Sequence, residues 1–128
     1  MKVARFGRCK VVGAIAFLIC STMLVGVIVL RTQVTKSIAK VKESVLHDDL
    51  RTMRLSIENY SADQHKRPES LHDLIAAGYL NQLPKDPLTN RRDTWTPEWS
   101  TNPASPGVAN VRSGASGTDG KGIRYAGW

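Results

Sequence analysis

The residues best suited to binding an ion lie in one loop at 113–122, which reads SGASGTDGKG. Calcium takes roughly six to eight oxygen ligands from carboxylates, hydroxyls and backbone carbonyls. Asp119 is the single carboxylate of this loop, and it is therefore the candidate calcium ligand. The lone acid and the neighbouring Lys121 favour an alternative interpretation, a glycine-rich hairpin loop closed by an Asp119-Gly120 turn.

The histidines and the adjacent carboxylates match no catalytic pattern. His47, His65 and His72 belong to different predicted elements, and the chain contains no metal-ligand, nucleophile or phosphate-binding motif around them. Asp48 and Asp49 are neighbours on a predicted helix, where consecutive side chains point about 100° apart. We therefore interpret these residues as solvated surface and expect a protein that is not an enzyme.

The first element is an apolar run at 11–30, from Val11 to Leu30, which reads VVGAIAFLICSTMLVGVIVL. A helix of about 20 apolar residues crosses ~30 Å of hydrocarbon, and lipid requires the backbone to satisfy its own hydrogen bonds. The run therefore predicts a membrane-spanning helix. A removed signal peptide is the alternative, but its apolar region is usually only about 7–15 residues long and a small-residue cleavage pattern should follow it.

The net charge of +7 is concentrated beside this run. Residues 1–42 carry eight Lys and Arg and no acid, whereas residues 43–128 carry ten bases and eleven acids. Basic residues next to a span attract anionic lipid, and the near-neutral remainder predicts no nucleic-acid partner. We expect a basic cytoplasmic tail or leader at 1–10, a span at 11–30 and a periplasmic domain at 31–128, since large domains cross regardless of charge.

The helix is predicted to continue from the span to about Asp63, because residues 32–60 contain neither proline nor glycine. Apolar residues recur there at helical spacing. The first four form what we term the assembly stripe: Val34, Ile38, Val41 and Val45. The later ones are the candidate core: Leu46, Leu50, Met53, Ile57 and Tyr60. The remaining chain is too short to cover the whole helix, so the stripe is expected to contact a partner. The alternative is a stalk helix that packs on its own domain or dimerises as a short coiled coil.

A second, short helix is predicted at 71–77. Ser70 and Asp73 have the spacing of a capping box, in which the acid accepts the N–H of the capping residue. Gly78 is suited to the left-handed conformation that ends a helix.

Three short β runs are predicted beyond it, at 95–100, 108–112 and 122–125, separated by segments rich in Gly, Ser, Pro and Asn. Trp95, Trp99 and Trp128 are interpreted as core and sheet-face residues, with carbohydrate stacking as the alternative.

The order of motifs from Leu46 onward resembles the major pseudopilins of type II secretion, the pseudopilin G branch of the type IV pilin-like family. The resemblance rests on Leu50-Arg51, Met53-Arg54, Ile57, Tyr60, Pro68, Ser70-Leu71, Asp73-Leu74, Gly78-Tyr79-Leu80, Pro84-Lys85-Asp86-Pro87, Asp93-Thr94-Trp95, Val111, Ser113-Gly114, Asp119-Gly120, Tyr125 and Trp128. It implies an α+β fold in which the outer half of a long helix packs on a short helix and a small antiparallel sheet. The family's calcium sites lie in the C-terminal loop, where this chain matches at Asp119-Gly120.

The N-terminus departs from the family pattern of a basic leader, a cleavage point after Gly, a Phe and a Glu at the fifth mature position. Gly7 is followed by Arg8, and Gly13 is followed by Ala14, so neither glycine supplies that pattern. The resemblance therefore does not extend to leader cleavage or N-methylation.

Two functional expectations follow. The resemblance implies a structural subunit of the bacterial inner membrane that assembles by helix packing into a periplasmic filament for protein secretion. Its partners would be copies of itself, related pseudopilins, the inner-membrane secretion platform and the bilayer. The alternative is a stand-alone single-pass membrane protein whose periplasmic domain binds a ligand such as a glycan.

Overall fold

The computed structural model describes the backbone of residues 4–128 and the side chains of residues 11–128, so the basic tail expected at 1–10 lies outside the described side chains. The described part has an α+β fold, as the sequence predicts. Its elements are helix α1 (Ala4–Gln64), helix α2 (Leu71–Ala76), strands β1 (Trp95–Trp99) and β2 (Val108–Ser113), and a 3-10 turn at Tyr125–Gly127. The chain divides into two compact units, the first ending at Ala39 and the second spanning Lys40–Trp128.

In the first unit, α1 is long and apolar enough to cross a membrane. The most apolar window of 18 residues has a mean hydropathy of 2.6, and none of it is buried within the structure. The Thr22 hydroxyl has a partner on the helix itself, because its Oγ1 donates a 2.9 Å hydrogen bond to the carbonyl of Ile19. Such internal pairing is what a hydrocarbon environment requires of a polar group.

In the second unit, the last turns of α1 supply one side of the core. The five residues predicted for this role, from Leu46 to Tyr60, are all buried. They pack with residues of α2, the following loop and both strands: Leu71, Leu74, Leu83, Trp95, Val108 and Val111. The periodicity of three and four residues on α1 is thus the pattern of a helix that buries one face.

Helix α2 begins at Leu71, as its sequence predicts, and ends at Ala76, one residue before the predicted end. Asp73 Oδ2 accepts the backbone N–H of Ser70 at 3.0 Å and that of Glu69 at 2.7 Å. Gly78 has φ +81°, the left-handed conformation that glycine adopts without a steric penalty. The turn there closes with a 2.8 Å hydrogen bond from the Tyr79 N–H to the Leu74 carbonyl.

Strands β1 and β2 form a two-stranded antiparallel sheet. Its pairs run from Trp95 opposite Ser113 to Trp99 opposite Val108. The register shifts between Glu98 and Trp99, which marks a bulge at that end of the sheet. Helix α1 is fixed to β2 by the guanidinium of Arg54, which donates to the Asn110 side chain at 2.7 Å and to the Val111 carbonyl at 3.1 Å.

The prediction of a third strand at 122–125 is wrong. Thr118 and Arg124 form an isolated β-bridge, and the chain then enters the 3-10 turn. The cause is the Asp119 carboxylate, which accepts the backbone N–H groups of Lys121 and Ile123, each at 2.8 Å. Amides held in this way are not free to join a strand ladder.

Candidate functional site

The assembly stripe is uncovered in the single chain. Val34 and Ile38 are exposed in the first unit, and Val41 and Val45 are exposed in the second. The adjacent Leu46, in contrast, is completely buried in the core. Exposed branched aliphatic side chains at this density are unfavourable in water, so they are candidates for contact with another molecule.

The Asp119 loop is built as a turn. Besides its two carboxylate contacts, Asp119 donates its N–H to the Ile123 carbonyl at 2.8 Å and accepts the Gly122 N–H at 3.1 Å. Within residues 11–128, no group of three His, Cys, Asp or Glu side chains is placed to hold a metal ion. The loop therefore contains the Asp119-Gly120 turn considered above, and Asp119 as a calcium ligand stays a prediction.

The C-terminal segment packs against the start of α1 in the second unit. The Tyr125 hydroxyl donates a 2.9 Å hydrogen bond to Glu43 Oε1. The Trp128 ring lies 5.6 Å from the His47 ring and 5.5 Å from the Tyr125 ring, measured between centroids. Burial, and then the Glu43 carboxylate, raise the pKa of Tyr125. These contacts attach the C-terminal segment to the helix, and Glu43, His47 and Trp128 also line an open pocket of about 510 Å³.

A second cavity, of about 370 Å³, was not predicted, and we call it the Trp99 groove. Its walls include Trp99, the basic tripeptide His65-Lys66-Arg67 and Gly107. The Trp99 side chain is 60% exposed, so its assignment to the core is wrong, whereas Trp95 is only 6% exposed, as predicted. The bulge beside Trp99 explains the difference, because a bulge redirects the side chains next to it.

The walls of the Trp99 groove come from distant parts of the chain and approach each other closely. The Val108 N–H donates to the Pro68 carbonyl, and the Ser100 N–H donates to the Gly107 carbonyl, each at 2.8 Å. A Cβ atom on Gly107 would lie 2.7 Å from Arg67 Cβ, and Gly107 has φ +125°. Only glycine therefore fits this position without displacing the basic wall.

The sequence could have signalled this groove only weakly. The residues of its basic wall precede α2 and those facing them follow β1, with more than thirty residues between them. Charge patterning marks His65-Lys66-Arg67 as a local cluster, but no local pattern shows that Trp99 lies opposite. The pairing depends on the tertiary contact between Gly107 and Arg67.

The long N-terminal helix and small antiparallel sheet are loosely pilin-like in arrangement. Comparisons of the chain with known protein families, characterised proteins and solved structures give no match.

Proposed function

We propose that this protein is a membrane-anchored, pilin-like structural subunit that assembles with other copies through α1. The observation that supports this proposal is the difference in burial between the two ends of helix α1. Its apolar N-terminal residues are exposed throughout, while its last turns form the core of an α+β domain. The assembly stripe between them is apolar and has no cover within the described chain.

The proposed location is the bacterial inner membrane, with the N-terminus in the cytoplasm and the domain in the periplasm. The resemblance to type II secretion pseudopilins supports this orientation. The charge distribution agrees with it, since the basic excess lies next to the span, and a domain with nearly balanced charge can cross. In such a filament the subunit would act by packing against neighbours and the secretion platform, without chemistry of its own.

Site-directed crosslinking in membranes tests the assembly proposal. The full chain with Cys9 and Cys20 replaced by Ser would carry Val41→Cys, and a short bismaleimide would then join neighbouring copies. Ala39→Cys is the matched control, because two residues on a helix separate side chains by about 200°. We expect crosslinked dimers and higher oligomers from Val41→Cys and little from Ala39→Cys. Equal yields at both positions would contradict assembly through the stripe.

The orientation can be tested separately. Lys121→Cys in the same cysteine-free background should react with a membrane-impermeant maleimide in intact spheroplasts, because Lys121 is exposed in the domain. Reaction only after the membrane is permeabilised would place the domain in the cytoplasm.

One observation favours a second candidate function, a ligand-binding periplasmic domain. Trp99 is the exposed aromatic residue that this alternative requires, and it lies in a groove. Loss of ligand binding in Trp99→Ala, with an unchanged melting temperature, would support the alternative.

A further inference from the structure

The Trp99 groove combines positive charge with an exposed aromatic face. Lys66 and Arg67 contribute two cations, Glu69 contributes one carboxylate, and His65 adds an imidazole. With His65 neutral, the groove therefore has an excess of one positive charge. This local excess contrasts with the remainder of the domain, in which acids and bases are almost equal in number.

The guanidinium of Arg67 has an unused donor. Its Nε is buried, and none of the described residues provides it with a hydrogen-bond acceptor. A buried donor without a partner is unfavourable by roughly 1–3 kcal/mol, and most buried donors in folded proteins are paired. Arg67 also lines the groove and is only partly buried as a residue, and a carboxylate is the group that a planar guanidinium binds best.

The Trp99 ring provides a flat surface beside these cations. The face of an aromatic ring carries partial negative charge, so it attracts the weakly positive C–H groups of a sugar ring. The groove volume of about 370 Å³ lies within the range of small-molecule sites, roughly 300–1,000 Å³.

We propose that the Trp99 groove binds an acidic saccharide, with a sugar ring stacked on Trp99 and its carboxylate paired with Arg67 and Lys66. One sugar ring that carries one carboxylate matches the single excess positive charge of the groove. An acidic peptide is less well matched, because recognition of acidic motifs uses clusters of arginines and Arg67 is the one arginine among the described residues that lines the groove. The aliphatic lining here is limited to Ala104 and Pro106. This inference rests on the second candidate function and is independent of filament assembly.

Calorimetric titration of the full-length chain in neutral detergent micelles tests the proposal. The probe is an oligogalacturonate of four sugar rings, and the matched probe is its methyl ester, which has the same rings without the charges. We expect the acid form to bind at least about tenfold more tightly than the ester, because charge-assisted hydrogen bonds are the strong ones. We also expect this affinity to fall with added salt.

Matched variants locate the binding site. Trp99→Ala should weaken binding of the acid form by about tenfold, since the stacking surface is removed. Lys66→Gln should weaken it by severalfold, whereas Lys36→Gln, the same change within the basic stretch beside the span, should have no effect. Equal losses from the two lysine variants would show that the oligosaccharide binds the juxtamembrane charges, and would overturn the proposal.

The remaining outcomes distinguish binding of a glycan in general from binding of an acidic glycan. Equal affinity for acid and ester, both lost in Trp99→Ala, would overturn the acidic specificity and leave a glycan-binding domain. No binding of either probe would overturn both. Binding of an octaglutamate peptide as tight as that of the oligogalacturonate would overturn the saccharide assignment. Crosslinking through Val41→Cys would be unaffected in every case.

Discussion

The hydroxyl of Ser113 donates a 2.7 Å hydrogen bond to Oδ2 of Asp86, and both residues are almost completely buried. The other carboxylate oxygen accepts the backbone N–H groups of Leu88 at 2.8 Å and Thr89 at 3.2 Å. One buried carboxylate therefore joins the end of β2 to the turn that leads into β1. It is a structural group, since all of these partners belong to the backbone or the core.

Asp86→Ala is expected to lower the free energy of unfolding by about 2–4 kcal/mol, because it leaves the buried Ser113 hydroxyl and two partly buried backbone amides without an acceptor. Denaturant unfolding of the domain in detergent micelles, followed by circular dichroism, measures this change. Asp93→Ala is the matched control, since Asp93 pairs with Arg91 on the exposed surface. A control variant that is destabilised as much as Asp86→Ala would contradict this role.

The two tryptophans of β1 should respond differently to truncation. Trp95→Ala is expected to lower the free energy of unfolding by about 3–5 kcal/mol, because it opens a cavity in the core. It also removes the 2.8 Å hydrogen bond from the Trp95 indole to the Pro84 carbonyl. Trp99→Ala should change the melting temperature little. If Trp99→Ala proved as destabilising as Trp95→Ala, the exposed position of Trp99 would be wrong.

Gly107→Ala is expected to destabilise the domain by at least about 1 kcal/mol. The added Cβ would meet Arg67 Cβ at 2.7 Å and the Pro68 carbonyl at 2.8 Å, at a φ that non-glycine residues rarely adopt. Gly120→Ala is the matched control, because a Cβ there meets nothing within 4 Å. Thermal unfolding compares the two, and equal melting temperatures would contradict the close approach.

Asp49 gives a pH-dependent prediction. Burial, followed by the nearby Asp48 and Asp86 carboxylates, raises its pKa, so the folded state disfavours its charged form. Its stabilising contribution is therefore complete below about pH 4 and is lost as the pH rises through the folded pKa. Asp49→Asn should accordingly raise the free energy of unfolding at pH 7 and leave it unchanged at pH 3. Glu58→Gln, at an exposed position, is the control, and a gain from Asp49→Asn that persists at pH 3 would refute the prediction.

Val41→Asp is expected to abolish assembly while the monomer remains folded. Val41 is 63% exposed, so an acid there is solvated in the free subunit but becomes unfavourable when a neighbour covers it. Blue native electrophoresis of membrane extracts reports assembly, and circular dichroism reports the fold. Ala39→Asp introduces the same charge on the opposite side of α1 and should still assemble.

The main elements of this fold could be predicted because their signals are local. The spacing from Leu46 to Tyr60 defined the buried face of α1, and the Ser70–Asp73 box defined the start of α2. The error at 122–125 was also local in origin. The position after a segment rich in Gly and Ser suggested a strand, but the Asp119 carboxylate competes for the same amides.

The Trp99 groove could not be predicted because it depends on contacts between distant residues. Composition places tryptophan in the core of a small domain, and Trp95 follows this rule. Trp99 departs from it beside the register shift between Glu98 and Trp99, where Ala109 is an extra residue on β2. Register depends on the whole sheet and its supporting helix, so single-sequence reasoning about Trp99 has no means of detecting it.

The hydrogen bond between the Val108 amide and the Pro68 carbonyl has a consequence for any molecule that enters beside Trp99. This hydrogen bond joins the two sides of the Trp99 groove, so the groove is already formed in the absence of a ligand. The entropy cost of binding therefore comes mainly from the ligand, which loses its own conformational and rotational freedom. Rigid cyclic ligands lose the least conformational entropy on binding, and long flexible ligands lose the most.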